Sequence, residues 1–299
     1  MRKFVTAFAA LSMAGILLSG CGSKGNEVPE NTENPVAASE NVTEETTKAT
    51  ETEEGTQADI EKNMSGKTFT LGFDANFPPY GYVDEKGNYV GFDLDLAAEV
   101  CNRLGWNLVL QPIDWDSKDM ELESGAIDCI WNGFTMSDDR LEKYAWSKPY
   151  VDNSQVFVVA KDSSIKAPAD LAGKVVAVQA DSSALEALNS EDHADLTGSF
   201  AELMQVPEYN TGFMNLESGA VDAIAMDIGV ANYQISTRDD NFVILEEPLV
   251  SEQYGIGFKL GNEEMRDQVQ KALDEMAADG TFMTIADEWT LTDSVLLGK

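Results

Sequence analysis

The chain has 299 residues, 43% of them hydrophobic and 9% aromatic, enough to bury a sizeable core in one or two domains. Asp and Glu number 53 against 20 Lys and Arg, a formal charge of −33, so the surface repels phosphate backbones and anionic lipid headgroups. Nucleic-acid binding and polybasic membrane docking are thereby excluded. The aromatic and branched aliphatic residues beyond residue 65 exclude a wholly disordered chain.

At the N-terminus, Arg2 and Lys3 precede an apolar run, Phe4 to Leu18, about right for a signal core and short for a membrane span. Leu18-Ser19-Gly20-Cys21 follows, and small residues leading into a cysteine resemble the bacterial lipoprotein signal, in which the Cys21 thiol is lipidated and becomes the new N-terminus. A plain secretory signal cleaved nearby is the alternative. Residues 1–20 are read as the signal peptide and 21–63 as a lipid-anchored, disordered acidic tether. Residues 22–63 contain no Phe, Trp, Tyr or Leu and carry a net −8, too little apolar surface to offset the entropy of ordering. Coil statistics give such a tether a reach of about 35 Å. Residues 64–299 keep a charge of −27.

From Gly66 onward the pattern alternates strands and helices. Gly66-Lys67 opens a strand over Thr68–Phe73 that ends at Asp74. Asp93 is placed to cap a helix with Ala97, Val100, Cys101 and Leu104 on one face and a stop at Gly105. Asn107–Ile113 reads as a strand. Leu122-Glu-Ser-Gly-Ala-Ile-Asp128 then closes a helix on glycine before the apolar run Cys129-Ile-Trp131.

The second half repeats this plan. Gly173-Lys174 opens a strand over Val175–Gln179 followed by Asp181, and Ser182-Ser183 cap a helix beginning Ala184-Leu-Glu-Ala-Leu188. Leu216-Glu-Ser-Gly-Ala-Val-Asp222 matches the earlier heptad at six of seven positions and again precedes an apolar run, Ala223 to Met226. Met265, Val269, Leu273 and Met276 mark a helix closing near Gly280, and Phe282–Trp289 continue as another. Two matches in register predict two similar α/β lobes, with mostly parallel sheets covered by helices on both faces.

In open α/β sheets ligands sit beyond the carboxyl ends of the strands, where helix N-termini and free amides point. That rule selects Asp74–Tyr80, Trp115, Asn132–Thr135, Gln179–Ser183 and Met226-Asp227. Two lobes whose strand ends face each other enclose a small molecule between them. Cys101 and Cys129 are an even pair that permits one disulfide in an oxidising compartment, two buried free thiols being the alternative.

Five segments resemble the extracellular solute-binding proteins of polar amino acid ABC transporters (bacterial solute-binding protein family 3). They are Phe73-Asp-Ala-Asn-Phe-Pro-Pro-Tyr80, Val90-Gly-Phe-Asp-Leu-Asp-Leu96, Asn132-Gly-Phe-Thr-Met-Ser-Asp-Asp-Arg140, Gln253-Tyr-Gly-Ile-Gly-Phe258, and Ala278-Asp-Gly-Thr-Phe282 with Trp289. The resemblance implies a periplasmic-binding-protein-like fold, two α/β lobes joined by a two-strand hinge. Lobe one would span 64–157 and 251–299, and lobe two 158–250, with hinges near Val159-Ala160 and Leu249-Val250.

It further implies that an amino acid zwitterion is held by its two charged poles. Arg140 matches the family's carboxylate clamp, supported by Thr135 and the amides at Ser182 and Ser183; an exposed Arg140 pairing with Asp138 or Asp139 is the competing reading. Asp227 suits the ammonium, assisted by the Gly133 carbonyl, and is also placed to cap the helix that follows. Phe77 and Trp115 match the aromatic walls. Asp74, Asn132, Gln179 and Met226 line the expected side-chain pocket. Asp74, with no second cation among these residues, favours a neutral polar or cationic ligand.

The resemblance implies delivery to an ABC permease by a monomeric carrier attached to the membrane through its lipid alone, with no cofactor and no metal. A calcium loop of the Asp-x-Asx-x-Asx-Gly form is absent from the sequence. The rivals are a solute-binding-fold enzyme such as a cyclohexadienyl-type dehydratase, and a ligand-sensing surface lipoprotein. The sole histidine, His193, lies in a polar stretch that reads as an exposed turn, and no nucleophile elbow or phosphate loop occurs.

Overall fold

The computed structural model describes residues 66–239 and 241–299; the signal segment, Cys21 and the tether lie outside them. In chain order, β1 (Thr68–Phe73) leads to β2 (Asn76–Phe77), β3 (Gly81–Val83) and β4 (Tyr89–Val90), then α1 (Phe92–Leu104) and β5 (Asn107–Pro112). A 3-10 turn at Trp115–Ser117 enters α2 (Lys118–Ser124), followed by β6 (Cys129–Thr135), β7 (Tyr144–Trp146) and the long β8 (Val151–Ala160). The second half runs through β9 (Val175–Gln179), α3 (Ser183–Asn189), α4 (Ala194–Ser199), β10 (Glu202–Val206), α5 (Tyr209–Ser218), β11 (Ala223–Asp227), α6 (Ile228–Ser236) and β12 (Phe242–Ile244). The chain closes with β13 (Val250–Lys259), α7 (Glu263–Asp279) and α8 (Thr281–Glu288).

Two parallel groups make the ends of one sheet of order β10-β9-β11-β8-β13-β6-β1-β5. β1 pairs in parallel with β5 and β6, and β9 with β10 and β11. β8 and β13 run antiparallel to each other through the middle, so the expected pair of sheets is instead continuous. The larger of two apolar clusters draws on both strand groups, Leu71 and Phe73 from one and Ala177 and Ile224 from the other. Phe69, Leu71 and Phe73 pack with the Ala97, Val100 and Cys101 face of α1, while Val159, Val176, Val178, Ala223 and Ala225 form a second cluster. Burying each large side chain contributes about 1.5–3 kcal/mol.

The repeated heptad has a structural cause. Gly125 and Gly219 close α2 and α5 in left-handed backbone, turning the chain toward β6 and β11. The aspartate that follows then repeats one bond: Asp128 Oδ2 accepts the Thr70 N–H at 2.7 Å, and Asp222 Oδ2 accepts the Val175 N–H at 2.9 Å. In return, the amides of Asp128 and Asp222 donate to the carbonyls of Thr70 and Val175.

Two expectations need correction, and one open alternative is resolved. Asp93 does not cap α1, which begins at Phe92 after Gly91; its carboxylate turns inward, accepting the Gly133 N–H at 2.7 Å and the Tyr150 hydroxyl at 2.8 Å. Cys101 and Cys129 form no disulfide: each is a small, fully packed core residue, and burial pushes the Cys101 thiol up to about 12. On β8, Val159 is already paired with Ala223 of β11, so it belongs to the second group. The long strands pair with each other over Val151–Gln155 and Val250–Tyr254, several residues earlier than expected on β8, with Gln155 also meeting Asp227 of β11 and Tyr254 meeting Thr135 of β6.

Candidate ligand-binding site

Ten of the twelve residues selected from the sequence surround one small cavity. From β2, the turn after β5 and the β6 segment come Phe77, Trp115, Asn132, Gly133, Thr135 and Arg140. The β9–α3 loop and the end of β11 supply Gln179, Ser182, Ser183 and Asp227. Both groups of strands therefore contribute to the same walls.

Arg140 is buried, and its guanidinium reaches across to the second group rather than to Asp138 or Asp139. Nη2 donates to the Asp181 carbonyl at 3.3 Å, Nε lies 3.4 Å from Glu186 Oε2, and the guanidinium sits 5.3 Å above the Phe134 ring. Its backbone carbonyl accepts the Trp146 indole N–H. Ser182 caps α3, its hydroxyl accepting from Leu185 N at 3.2 Å, so the capped start read from the sequence is present.

Asp227 occupies the N-cap position of α6 but makes no capping bond. Its carboxylate instead accepts from Tyr254 at 2.6 Å, Gln155 at 2.7 Å, Asn153 at 2.8 Å and Tyr209 at 3.1 Å. Burial raises its pKa, and these donors offset part of the rise.

Gly133 adopts φ +57, the left-handed region. A Cβ there would stand 2.8 Å from Phe77 Cε1 and 3.0 Å from Tyr254 Cε2, so only glycine lets both rings close on the loop. Trp115 meets Phe134 edge-on at 5.7 Å and carries Lys118 Nζ 5.2 Å from its ring. Lys118 is itself buried and pairs with the Asp181 carboxylate; burial lowers its pKa and Asp181 resists the fall.

Two selected residues lie elsewhere. Met226 is fully buried in the main apolar cluster, because neighbours along a strand point to opposite faces and Asp227 takes the other one. Asp74 stands beside the cavity in an adjoining cleft of about 1210 Å³ that shares Trp115. It is joined to the site by Gln179 Nε2, which donates to it at 2.8 Å, and burial raises its pKa. That cleft is also lined by Asp114, Asp116, Glu121 and Glu208, and carries no Lys or Arg. His193 bonds only locally, its Nδ1 lying 3.1 Å from the Ala187 carbonyl and 3.2 Å from Ser190 Oγ.

Sequence reasoning missed a polar layer beneath the cavity: Asn153 and Gln155 on β8, Glu252 and Tyr254 on β13, and Tyr209 on α5. Asn153 and Gln155 are two residues apart, as are Glu252 and Tyr254, so each pair shares one strand face. Polar residues at alternate positions of a strand resemble a solvated edge, and only the pairing of β8 with β13 turns them inward.

The Bacterial extracellular solute-binding proteins, family 3, model matches residues 69–292. The L-cystine-binding protein TcyJ of Escherichia coli (strain K12) is 28% identical over 224 residues, covering 74% of this chain and 82% of that protein. A substrate-binding protein of an ABC uptake transporter from Streptococcus pneumoniae, solved with bound histidine, superposes with a TM-score of 0.74 at 32% identity, covering 80% of this chain and 98% of that one. An ancestral arginine-binding protein bound to glutamine gives a TM-score of 0.68 at 35% identity, with coverage of 75% and 98%.

Proposed function

Because the chain belongs to the bacterial extracellular solute-binding proteins of family 3, we propose that it captures a polar amino acid outside the cytoplasm and hands it to an ABC importer. The observation that carries this reading is the shared cavity: Arg140 and Asp227, from the two strand groups, line one space. A zwitterion has one pole for each. The guanidinium offers a planar fork of donors to a carboxylate, and Thr135 and the α3 amides add to it. Asp227 and the Gly133 carbonyl accept from the ammonium, while Phe77 and Trp115 flank the aliphatic stem and exclude water.

One lobe is built on β1, β5, β6 and β7 and the other on β9 to β12, with β8 and β13 as the hinge. Ligand that touches both lobes favours closure. The adjoining acidic cleft supports a neutral polar or cationic side chain, since a distal carboxylate entering it would meet Asp74, Asp114, Asp116, Glu121 and Glu208 without a Lys or Arg in its lining. This favours arginine-like ligands over cystine. The protein acts as a carrier rather than an enzyme, a reading supported by similar proteins whose names describe binding.

The lipoprotein signal, lipidated Cys21, acidic tether, monomeric state and permease docking belong to the same proposal. A thermal-shift screen of the twenty amino acids with cystine and ornithine tests the ligand class. Binding raises the melting temperature by mass action, so arginine, ornithine or a neutral polar amino acid is expected to raise it most. No shift with any amino acid contradicts the proposal. Palmitate labelling lost in Cys21→Ala tests the anchor.

A further inference from the structure

Behind Thr135, Ser183 and Asp227 lies a second carboxylate that faces the first. Glu252 Oε1 accepts from Asn153 Nδ2 at 2.6 Å, Thr135 Oγ1 and Gln155 Nε2 at 2.8 Å, and Ser183 Oγ at 3.3 Å. Two of those donors, the amide nitrogens of Asn153 and Gln155, also donate to Asp227 Oδ1. Two acid groups thus meet at one pair of amides.

The donors are too few for two full negative charges. An amide nitrogen carries two hydrogens, yet Gln155 Nε2 has three acceptor oxygens in reach: Ser183 Oγ, Asp227 Oδ1 and Glu252 Oε1. The other ends of the same amides, Asn153 Oδ1 and Gln155 Oε1, are buried with no donor at all. Gln155 is 0% exposed and Asn153 4%. Four acceptor groups therefore crowd one place, and Arg140 is turned away toward Glu186 and Asp181.

We propose that Glu252 is a second carboxylate of the ammonium-binding end, and that it shares a proton with Asp227 which leaves when the ligand's ammonium enters. This rests on the amino acid reading above and deepens it. Without ligand, a buried Asp227 and a half-buried Glu252 that share the same amide donors hold one proton between them. An ammonium brings its own hydrogens and positive charge, so both groups ionise and the proton passes to solvent. Burial, with the Asp227 charge second, pushes the Glu252 carboxyl up to about 7, in the range where this exchange is measurable.

The charged and titratable neighbours of this pair lie on three sides, with Arg140 lining the same cavity as Asp227. Tyr209 and Tyr254 donate to Asp227, and burial raises both phenols, as it does that of Tyr80. On its outer side Glu252 borders a cleft lined by Asp138, Asp139, Glu186, Asp192 and His193. His193 is the one cationisable group in that lining and serves as the control.

The experiment is calorimetric titration of the full chain with L-arginine and with L-glutamine, whose α-ammonium groups do not titrate between pH 5.5 and 7.5, in two buffers of different ionisation enthalpy. The wild type is expected to release about half to one proton per ligand near pH 6.5, with affinity falling roughly tenfold or more from pH 7.5 to 5.5. Glu252→Gln is expected to abolish the release, and His193→Gln to retain it. Binding without proton release by the wild type, or release unchanged in a folded Glu252→Gln, overturns this inference and leaves the amino acid reading standing. Failure of both ligands to bind at any pH overturns this inference and counts against that reading as well. Absence of proton release by the wild type overturns the inference even if Glu252→Gln does not fold.

Discussion

Asp93 on α1 holds the backbone N–H of Gly133 at 2.7 Å, tying the first helix to β6, which lines the cavity with Asn132, Gly133 and Thr135. The same carboxylate accepts the Tyr150 hydroxyl. Replacing it strands two buried donors at once. Asp93→Ala is expected to lower stability by about 2–3 kcal/mol and to weaken ligand binding, whereas Asp93→Asn keeps the shape and costs less. Urea unfolding monitored by circular dichroism checks the order of the two variants.

Stability should depend on pH through the same group. Burial raises the Asp93 carboxyl from 3.8 to about 7. The folded protein therefore keeps a proton that the unfolded chain has lost, so this contribution is complete below about pH 4 and disappears as pH rises through 7. The slope it adds is no steeper than ~1.4 kcal/mol per pH unit. Chemical denaturation at pH 4.5 and 7.5 should show wild type losing more stability than Asp93→Asn over that interval; equal losses contradict the assignment.

Gly133→Ala places a methyl 2.8 Å from Phe77 Cε1 in left-handed backbone. A cost of about 1–3 kcal/mol in melting experiments is expected, with ligand affinity reduced because Phe77 must move. Gly125→Ala has open space around its Cβ, so only the backbone cost of about 1 kcal/mol remains and binding is kept.

Lys118 and Asp181 join the two strand groups outside the ligand cavity, with Lys118 almost fully buried. Lys118→Met removes the charge and keeps most of the volume. In small-angle scattering the ligand-free variant is expected to be more extended than the wild type, and the ligand-bound forms to coincide. An unchanged ligand-free radius of gyration rules out a role in closure.

Much of this was legible in the chain because it depends on local rules. The duplicated Leu-Glu-Ser-Gly-Ala heptads announced two like units, and the structure shows why each ends in aspartate: Asp128 and Asp222 secure the starts of β1 and β9 through equivalent bonds. Asp227, Phe77 and Trp115 were selected by their places after strand ends, and Arg140 by its match to the family's carboxylate clamp. What escaped depends on pairing between distant segments. Glu252 and Gln155 become inward-facing only when β13 lies beside β8, and nothing local distinguishes them from a solvated strand edge. Asp93 looked like a cap because its spacing suits one, yet the unpaired Gly133 amide draws its carboxylate inward. Met226 could have been excluded, since strand alternation forbids it to share a face with Asp227.

The central claim is that Arg140 and Asp227 grip the two poles of one ligand, and calorimetry on Arg140→Ala tests it most directly. Titrated with whichever amino acid gives the largest thermal shift, the variant should bind more than tenfold more weakly than the wild type, a loss above about 1.4 kcal/mol, while melting as a folded protein. A folded Arg140→Ala that retains affinity within tenfold would contradict the account.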